Sequence, residues 1–238
     1  GPVIDEKGFV CLSREKLKVI EEKKYSSDAV IREQEVKNDL AAAIINSALR
    51  PSVETSLHNI IDYAYVVHTH PTKLNALLCS NSAKTLTQKL FGNEALFIEY
   101  TDPGYILFKK VLGEIESFKK TNKFCPRLIF LENHGVFVAA DSVAEIHGLY
   151  KQIMQKVKPA ENIDFNSTPL QNEKLREIAA LPQFRKRTVL AFTGELIRQF
   201  TANENSFSKI NTPFTPDHIV YCKSKYLFQE SSDDLKSL

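Results

Sequence analysis

Between Tyr63 and Pro71 an apolar, β-branched run ends in two histidines spaced two apart, Val66-Val67-His68-Thr69-His70. Side chains alternate sides along a strand, so His68 and His70 leave the same face and their rings can converge on one point. Pro71 stops the strand and suits the first turn of a helix over 72–79. Far downstream, Leu131-Glu132-Asn133-His134-Gly135 sets another imidazole in a tight turn between two short apolar strands, 127–131 and 135–140. Three convergent imidazoles with an open position make the usual protein ligand set of a catalytic zinc ion. Such a chain must fold so that two strand ends far apart in sequence meet.

Composition narrows the function classes. The 238 residues fit one large domain or two small ones. Acidic and basic residues nearly balance, at a net charge of +2, which argues against nucleic-acid or membrane-surface binding driven by bulk charge. Cys11, Cys79, Cys125 and Cys222 are scattered with no Cys-x-x-Cys pair, so free thiols in a reducing cytoplasm are the plain reading. No apolar run reaches the roughly 20 residues that span a bilayer.

Periodicity predicts the order of elements. A short strand is expected over 8–12, and an amphipathic helix over the later part of 28–49, where Val36, Leu40, Ala43 and Ile44 recur at helical spacing. Pro51 breaks before a helix over 52–61. A strand over 63–70, helices over 72–79 and 85–90, and a strand over 95–100 follow. The turn Thr101-Asp102-Pro103-Gly104 closes that strand and opens a helix over 105–119. Strands 127–131 and 135–140 precede a helix over 144–157. Beyond a polar stretch at 158–168, helices over 170–181 and 189–200 and a late strand over 219–222 are expected. Strands alternating with helices through the middle imply helices on both faces of a sheet.

Besides His68, His70 and His134, three histidines invite plainer readings. His147 falls within a helix pattern as a surface or packing residue; His218, after Thr-Pro-Asp, either approaches the site or anchors a loop. His58 lies four residues after Glu54, and the two share a helix face. Glu54 early in its helix either complements the helix dipole or acts as a general base near a metal. Tyr100 either packs at a strand end or donates a proton from a loop. Phosphate loops of the dinucleotide or P-loop type and the Gly-x-Ser-x-Gly elbow are absent. A cupin barrel, which also uses a His-x-His pair, would follow it with strands rather than a helix.

Pro51-Ser52-Val53-Glu54-Thr55, Val67-His68-Thr69-His70-Pro71 and Glu132-Asn133-His134-Gly135-Val136 together resemble the class II aldolase/adducin family. Thr215-Pro216-Asp217-His218-Ile219 is similar to the branch of rhamnulose-phosphate-aldolase-like proteins, some of them fused to a dehydrogenase half that is not seen in this sequence. The resemblance runs over about 9–227 and implies one domain over 1–238. The implied fold is α/β, a three-layer α/β/α arrangement around a mixed, largely antiparallel sheet. It implies zinc or another divalent metal on His68, His70 and His134, Glu54 and Tyr100 as catalytic groups, and Ser52 and Asn133 in substrate binding. The implied activity is reverse aldol cleavage of a ketose 1-phosphate. A pentulose-phosphate 4-epimerase, a sugar-phosphate dehydratase and a non-catalytic adducin-like binding module are the alternatives. The implied partners are a sugar phosphate and further copies of the chain in a cytoplasmic homotetramer, with no nucleic acid and no membrane. In family enzymes an Asn-containing loop and a Ser-Gly or Thr-Gly turn upstream of the glutamate help hold the phosphate. This sequence starts after both, and Val53 stands where a second serine is usual. Either an N-terminal segment precedes this sequence or phosphate binding is weakened.

Overall fold

A computed structural model describes residues 8–158, 166–171, 173–184 and 187–230. The chain divides into two compact units, Gly1–Lys158 and Pro159–Leu238.

In the first unit, helix starts follow their capping residues. The Ser13 hydroxyl accepts from the Lys16 amide and opens α1 (Arg14–Glu22). The Asp28 carboxylate accepts from the Ile31 amide and opens α2 (Ala29–Ala42). Both satisfy an amide that the first helical turn leaves without a partner. α1 buries Leu17 and Ile20, and α2 buries Val36 and Leu40, at spacings of three and four. α3 (Thr55–Ile60) starts later than periodicity predicts, because Ser52 to Glu54 form the turn that leads into it. Then come β1 (Tyr65–Thr69), α4 (Thr72–Leu78), α5 (Ala83–Phe91), β2 (Ala95–Ile98) and α6 (Tyr105–Asn122). β3 (Leu128–Leu131), β4 (Gly135–Ala140) and α7 (Val143–Lys156) complete the unit. The expected strand at 8–12 is reduced to one bridge, Leu12 to Ile44. A single bridge gives the segment no ladder, and Phe9 stays exposed.

The four strands order as β1-β4-β3-β2. β1 and β3 both run antiparallel to β4, while β2 runs parallel to β3. β3 and β4 are central and buried along their whole length, which explains their near-continuous apolar sequence. Their alternate residues divide between two cores. Ile129, Leu131, Phe137 and Ala139 pack with residues of α1, α2, α3 and α6. Leu128, Phe130, Val136 and Val138 pack with residues of α4, α5 and α7. The mixed sheet covered by helices agrees with the α/β expectation.

In the second unit, β5 (Thr168–Pro169) pairs antiparallel with β6 (Phe192–Thr193). α8 (Glu173–Ala180), α9 (Glu195–Thr201) and α10 (Glu204–Phe207) are its helices. The helix expected over 189–200 is therefore β6 followed by α9. Gly194 stands between them, where a Cβ would run into the Asn166 carbonyl oxygen, so the chain turns out of the hairpin before it coils. The strand expected at 219–222 is a wide helical turn, His218–Cys222. Its Val220 and Tyr221 side chains are exposed, and without a partner strand a β-branched run has no ladder to join. Residues 159–165 of the expected 158–168 loop, and the opening Gly1-Pro2-Val3, lie outside the described residues. All four cysteines are free. Among the described residues no helix is long and apolar enough to cross a membrane.

Candidate metal centre

The β1–β4 register sets His68 opposite Phe137 and Thr69 opposite Val136. His70 follows the last residue of β1, and His134 precedes the first residue of β4. The pairing of these two strands is what carries three histidines to one place. Their ligand atoms lie within 4.8 Å of one another, and they form a group that could hold a metal ion. His70 Nε2 stands 2.9 Å from His68 Nε2. One Glu54 carboxylate oxygen lies 3.1 Å from His134 Nε2 and 3.4 Å from His68 Nε2.

The His68 tautomer is set by the backbone. Its Nδ1–H donates to the Val136 carbonyl at 3.1 Å, which leaves the Nε2 lone pair aimed at His70 and Glu54. Fixing a ligand ring through its second nitrogen is typical of metal-binding histidines. The ring also stacks on Phe137, centroids 4.1 Å apart and planes inclined by 22°. Burial is the main reason the His68 pKa falls to about 4; Glu54 opposes that shift, and His134 and His70 add to it. His68 is therefore neutral at neutral pH, the form that binds a metal. Burial would raise the Glu54 pKa, but the His134 hydrogen bond and electrostatic interaction with the surrounding imidazoles outweigh it and hold the carboxyl below its ordinary value. A lone pair and a carboxylate facing each other across a few ångströms suit a cation between them. A donor set of imidazole nitrogens suits zinc or a neighbouring transition metal, so these residues fit the group.

The turn geometry differs from the simplest reading of Asn133-His134-Gly135. Asn133 carries the positive φ, at 55°, a conformation that asparagine tolerates better than most residues. Gly135 is required for space instead. A Cβ there would overlap His70 Cδ2 and come 2.6 Å from the Thr69 carbonyl oxygen.

Other predicted residues fall differently. The exposed Ser52 accepts from the Glu54 amide at 3.2 Å and so shapes the turn that presents the carboxylate. Tyr100 is exposed and donates its hydroxyl to Asp102 at 3.0 Å. That hydrogen bond, then burial, raises its pKa, and no described contact joins it to the histidines or Glu54. His58, expected to share a helix face with Glu54, turns to the sheet instead: its Nδ1–H donates to the Val66 carbonyl and its ring meets Phe137 edge-on. His147 is exposed on α7. In the second unit, His218 Nδ1 accepts from the Phe214 amide and anchors its own loop.

A cleft of about 480 Å³ is lined by Arg50, Ser52, Val53 and Ser56, which flank Glu54 in the chain, together with Lys37 and Tyr105. Ser56 Oγ is buried there without a hydrogen-bond partner among the described residues.

Sequence reasoning missed Phe137 and Asn75. The first reads as one more core aromatic. The second lies in α4, and its amide donates to the His134 carbonyl at 3.0 Å; only a pairing of distant segments reveals either.

Comparison with known proteins points the same way. Residues 10–154 match the family described as Class II Aldolase and Adducin N-terminal domain. The chain is 25% identical over 217 residues to the uncharacterized oxidoreductase YuxG of Bacillus subtilis (strain 168). That alignment covers 82% of this chain but 31% of the relative, so the chain spans under a third of that protein. The N-terminal class II aldolase domain of a conserved protein from Thermoplasma acidophilum shares the fold, with a TM-score of 0.52 and 23% identity over 65% of this chain and 67% of that one.

Proposed function

The chain belongs to the class II aldolase and adducin family, and from that premise we propose that it is a divalent-metal-dependent lyase that cleaves a ketose 1-phosphate by a reverse aldol reaction. The observation that carries this reading is the convergence of His68, His70 and His134 with the Glu54 carboxylate. A binding module has no need of that set.

His68, His70 and His134 would hold the ion. When bound, it would supply Lewis-acid stabilisation of the negative charge that develops on the substrate's carbonyl and neighbouring hydroxyl oxygens. In the condensation direction Glu54, ionised at neutral pH, removes the proton from the carbon beside the carbonyl. In cleavage it returns that proton to the same carbon. Its position on a turn braced by Ser52 keeps it at the mouth of the histidine cluster.

Arg50 and Lys37 make no described hydrogen bond or ion pair, and with Ser52 and the unpartnered Ser56 hydroxyl they line the cleft beside Glu54. We assign the phosphate-bearing end of the substrate to it. Asn133, the neighbour of His134 in the β3–β4 turn, would contact the sugar hydroxyls. Tyr100 faces solvent, so its role as proton donor to the aldehyde oxygen is fulfilled in an assembly, a homotetramer, where it enters a neighbouring subunit's site. Helices packed on both faces of the sheet support an α/β/α layering. The Thr215–His218 sequence supports the rhamnulose-phosphate-aldolase-like branch, and the free cysteines suit a cytoplasmic enzyme.

The test is elemental analysis after zinc loading and dialysis, followed by a screen of ketose 1-phosphates for release of a triose phosphate. About one zinc per chain, lost in a His68→Ala/His70→Ala variant, together with turnover of a ketose phosphate, is the expected result. A well-folded protein that retains no metal overturns the lyase reading in favour of the adducin-like binding module. Metal retention with epimerisation or dehydration in place of cleavage would assign the chain to one of the other reactions on this scaffold.

A further inference from the structure

We infer that Asn75 is a positioning residue for the three-histidine centre: from α4, its side-chain amide fixes the backbone of the turn that carries His134. The inference rests on the reading that these histidines hold a divalent ion.

His68 and His70 arrive on one continuous piece of chain, β1 running through Pro71 into α4. His134 arrives from far along the sequence, on the turn between β3 and β4. Its alignment with the other two depends on what holds that turn. Internally, the His134 amide donates to the Leu131 carbonyl at 3.2 Å. Two further bonds tie the turn to α4. The Asn133 amide donates to the Leu78 carbonyl at 3.2 Å, and Asn75 Nδ2 donates to the His134 carbonyl at 3.0 Å.

Asn75 is itself a fixed platform. Its amide donates to the Pro71 carbonyl, and its own carbonyl accepts from the Cys79 amide, both at 2.8 Å. Leu74 and Leu78 on either side of it in α4 are fully buried. The other end of its side-chain amide, Oδ1, is buried without a hydrogen-bond partner among the described residues. Burying an amide oxygen in that way opposes folding. A leucine would fill the space without that penalty, so what an asparagine adds at this position is the donor to His134.

The same helix therefore begins two residues after His70, directly after Pro71, and, one turn later, grips the third ligand. A peptide plane freed at His134 rotates the ring with it, and Nε2, at the far end of that ring, moves most. Changes to the groups that orient metal ligands typically weaken metal binding about 10- to 100-fold.

The test is a cobalt(II) titration of the whole chain, read by the visible absorption of the bound ion, which reports coordination geometry. Asn75→Ala removes the donor, and Asn75→Asp keeps the shape while also removing it. Ala76→Gly, on the exposed side of α4, weakens the helix without touching the tether and separates a positioning role from a structural one. Circular dichroism confirms folding of each variant. The expected result is about 10- to 100-fold weaker cobalt binding in both Asn75 variants, with an altered band at saturation, and no change in Ala76→Gly. Unchanged affinity and band in a folded Asn75 variant, or an equal loss in Ala76→Gly, overturns this inference while leaving the metal centre in place. Absence of bound cobalt in the unaltered protein overturns the metal reading and this inference together.

Discussion

Gly135 stands against the His70 ring so closely that a single methyl group on it would occupy the space of the ring's Cδ2 atom. The contact closes the seam between the end of β1 and the start of β4, where all three histidines meet. Gly135 is buried, and of the other near neighbours, the Thr69 carbonyl and His68 Cε1, the carbonyl is backbone that cannot swing aside. Gly135→Ala therefore forces either His70 out of its rotamer or the two strands apart. Overpacking of this kind costs about 1–3 kcal/mol, and any relief obtained by turning His70 away comes at the expense of the metal. Chemical denaturation of the metal-free protein and a zinc-binding titration should both register the change. A variant as stable as the original, with the same zinc affinity, would show that the seam yields more easily than this geometry allows.

A charge cluster away from the site sets a separate pH dependence. Asp39 on α2 accepts hydrogen bonds from Lys23 Nζ and the Tyr25 hydroxyl, each at 2.7 Å. Burial alone would raise the Asp39 pKa, but the two hydrogen bonds and the Lys23 charge outweigh it, so it lies below its ordinary value. A carboxyl with a depressed folded-state pKa contributes stability that is fully present above the unfolded value, about 3.9, and is lost as pH falls through the folded value. Lys23 is well exposed, so the contribution is small and screened by salt. Asp39→Asn should be less stable than the original protein at neutral pH. The gap should close as pH drops below about 4 and shrink at high ionic strength. Urea titrations across that range measure it.

The histidine constellation was legible because its spacing is local: alternation along a strand aligns His68 with His70, and the His-Gly turn announces a strand end. The strands and helices of the first unit were legible for the same reason, from buried residues at intervals of two, three and four. What stayed hidden depends on pairings between distant segments. Nothing near Tyr105 announces that Glu33, on α2, accepts from its amide at the start of α6 and fills the space where a Gly104 side chain would stand. Nothing near Asn75 announces the His134 carbonyl. The error at 219–222 has the same root. A β-branched run becomes a strand only when a neighbour offers a ladder, and the local sequence does not contain that neighbour.

Glu54 separates binding from chemistry. Glu54→Gln keeps the volume and hydrogen-bonding reach beside His134 and His68 but removes the negative charge. In the proposed centre the three imidazoles would hold the zinc, so its stoichiometry should stay unchanged. Turnover of the proposed ketose phosphate substrate should fall about 10²- to 10⁴-fold, the usual worth of a positioned acid or base. Elemental analysis and steady-state kinetics on one preparation give both readings. Full activity in Glu54→Gln would remove it from the role of base and leave it as an electrostatic neighbour of the ligands.

His68 joins the candidate metal centre to the core, since its ring both faces His70 and stacks on Phe137. Two losses should follow from His68→Ala, and they can be measured apart. In the presence of chelator, where no metal contributes, the variant should be less stable than the original by the lost packing, with the aromatic stacking itself worth about 0.5–1.5 kcal/mol. With zinc present, the original protein gains stability by mass action, about 2.7 kcal/mol when free zinc is 100 times its dissociation constant. The variant, with two ligands left, should gain nothing. Thermal melts of both proteins with zinc and with chelator complete the square. The original should melt higher with zinc and the variant should not respond. If chelator leaves the melting of the zinc-loaded original unchanged, the ion is not bound to the folded state at this site, and the assignment of His68 as a ligand is wrong.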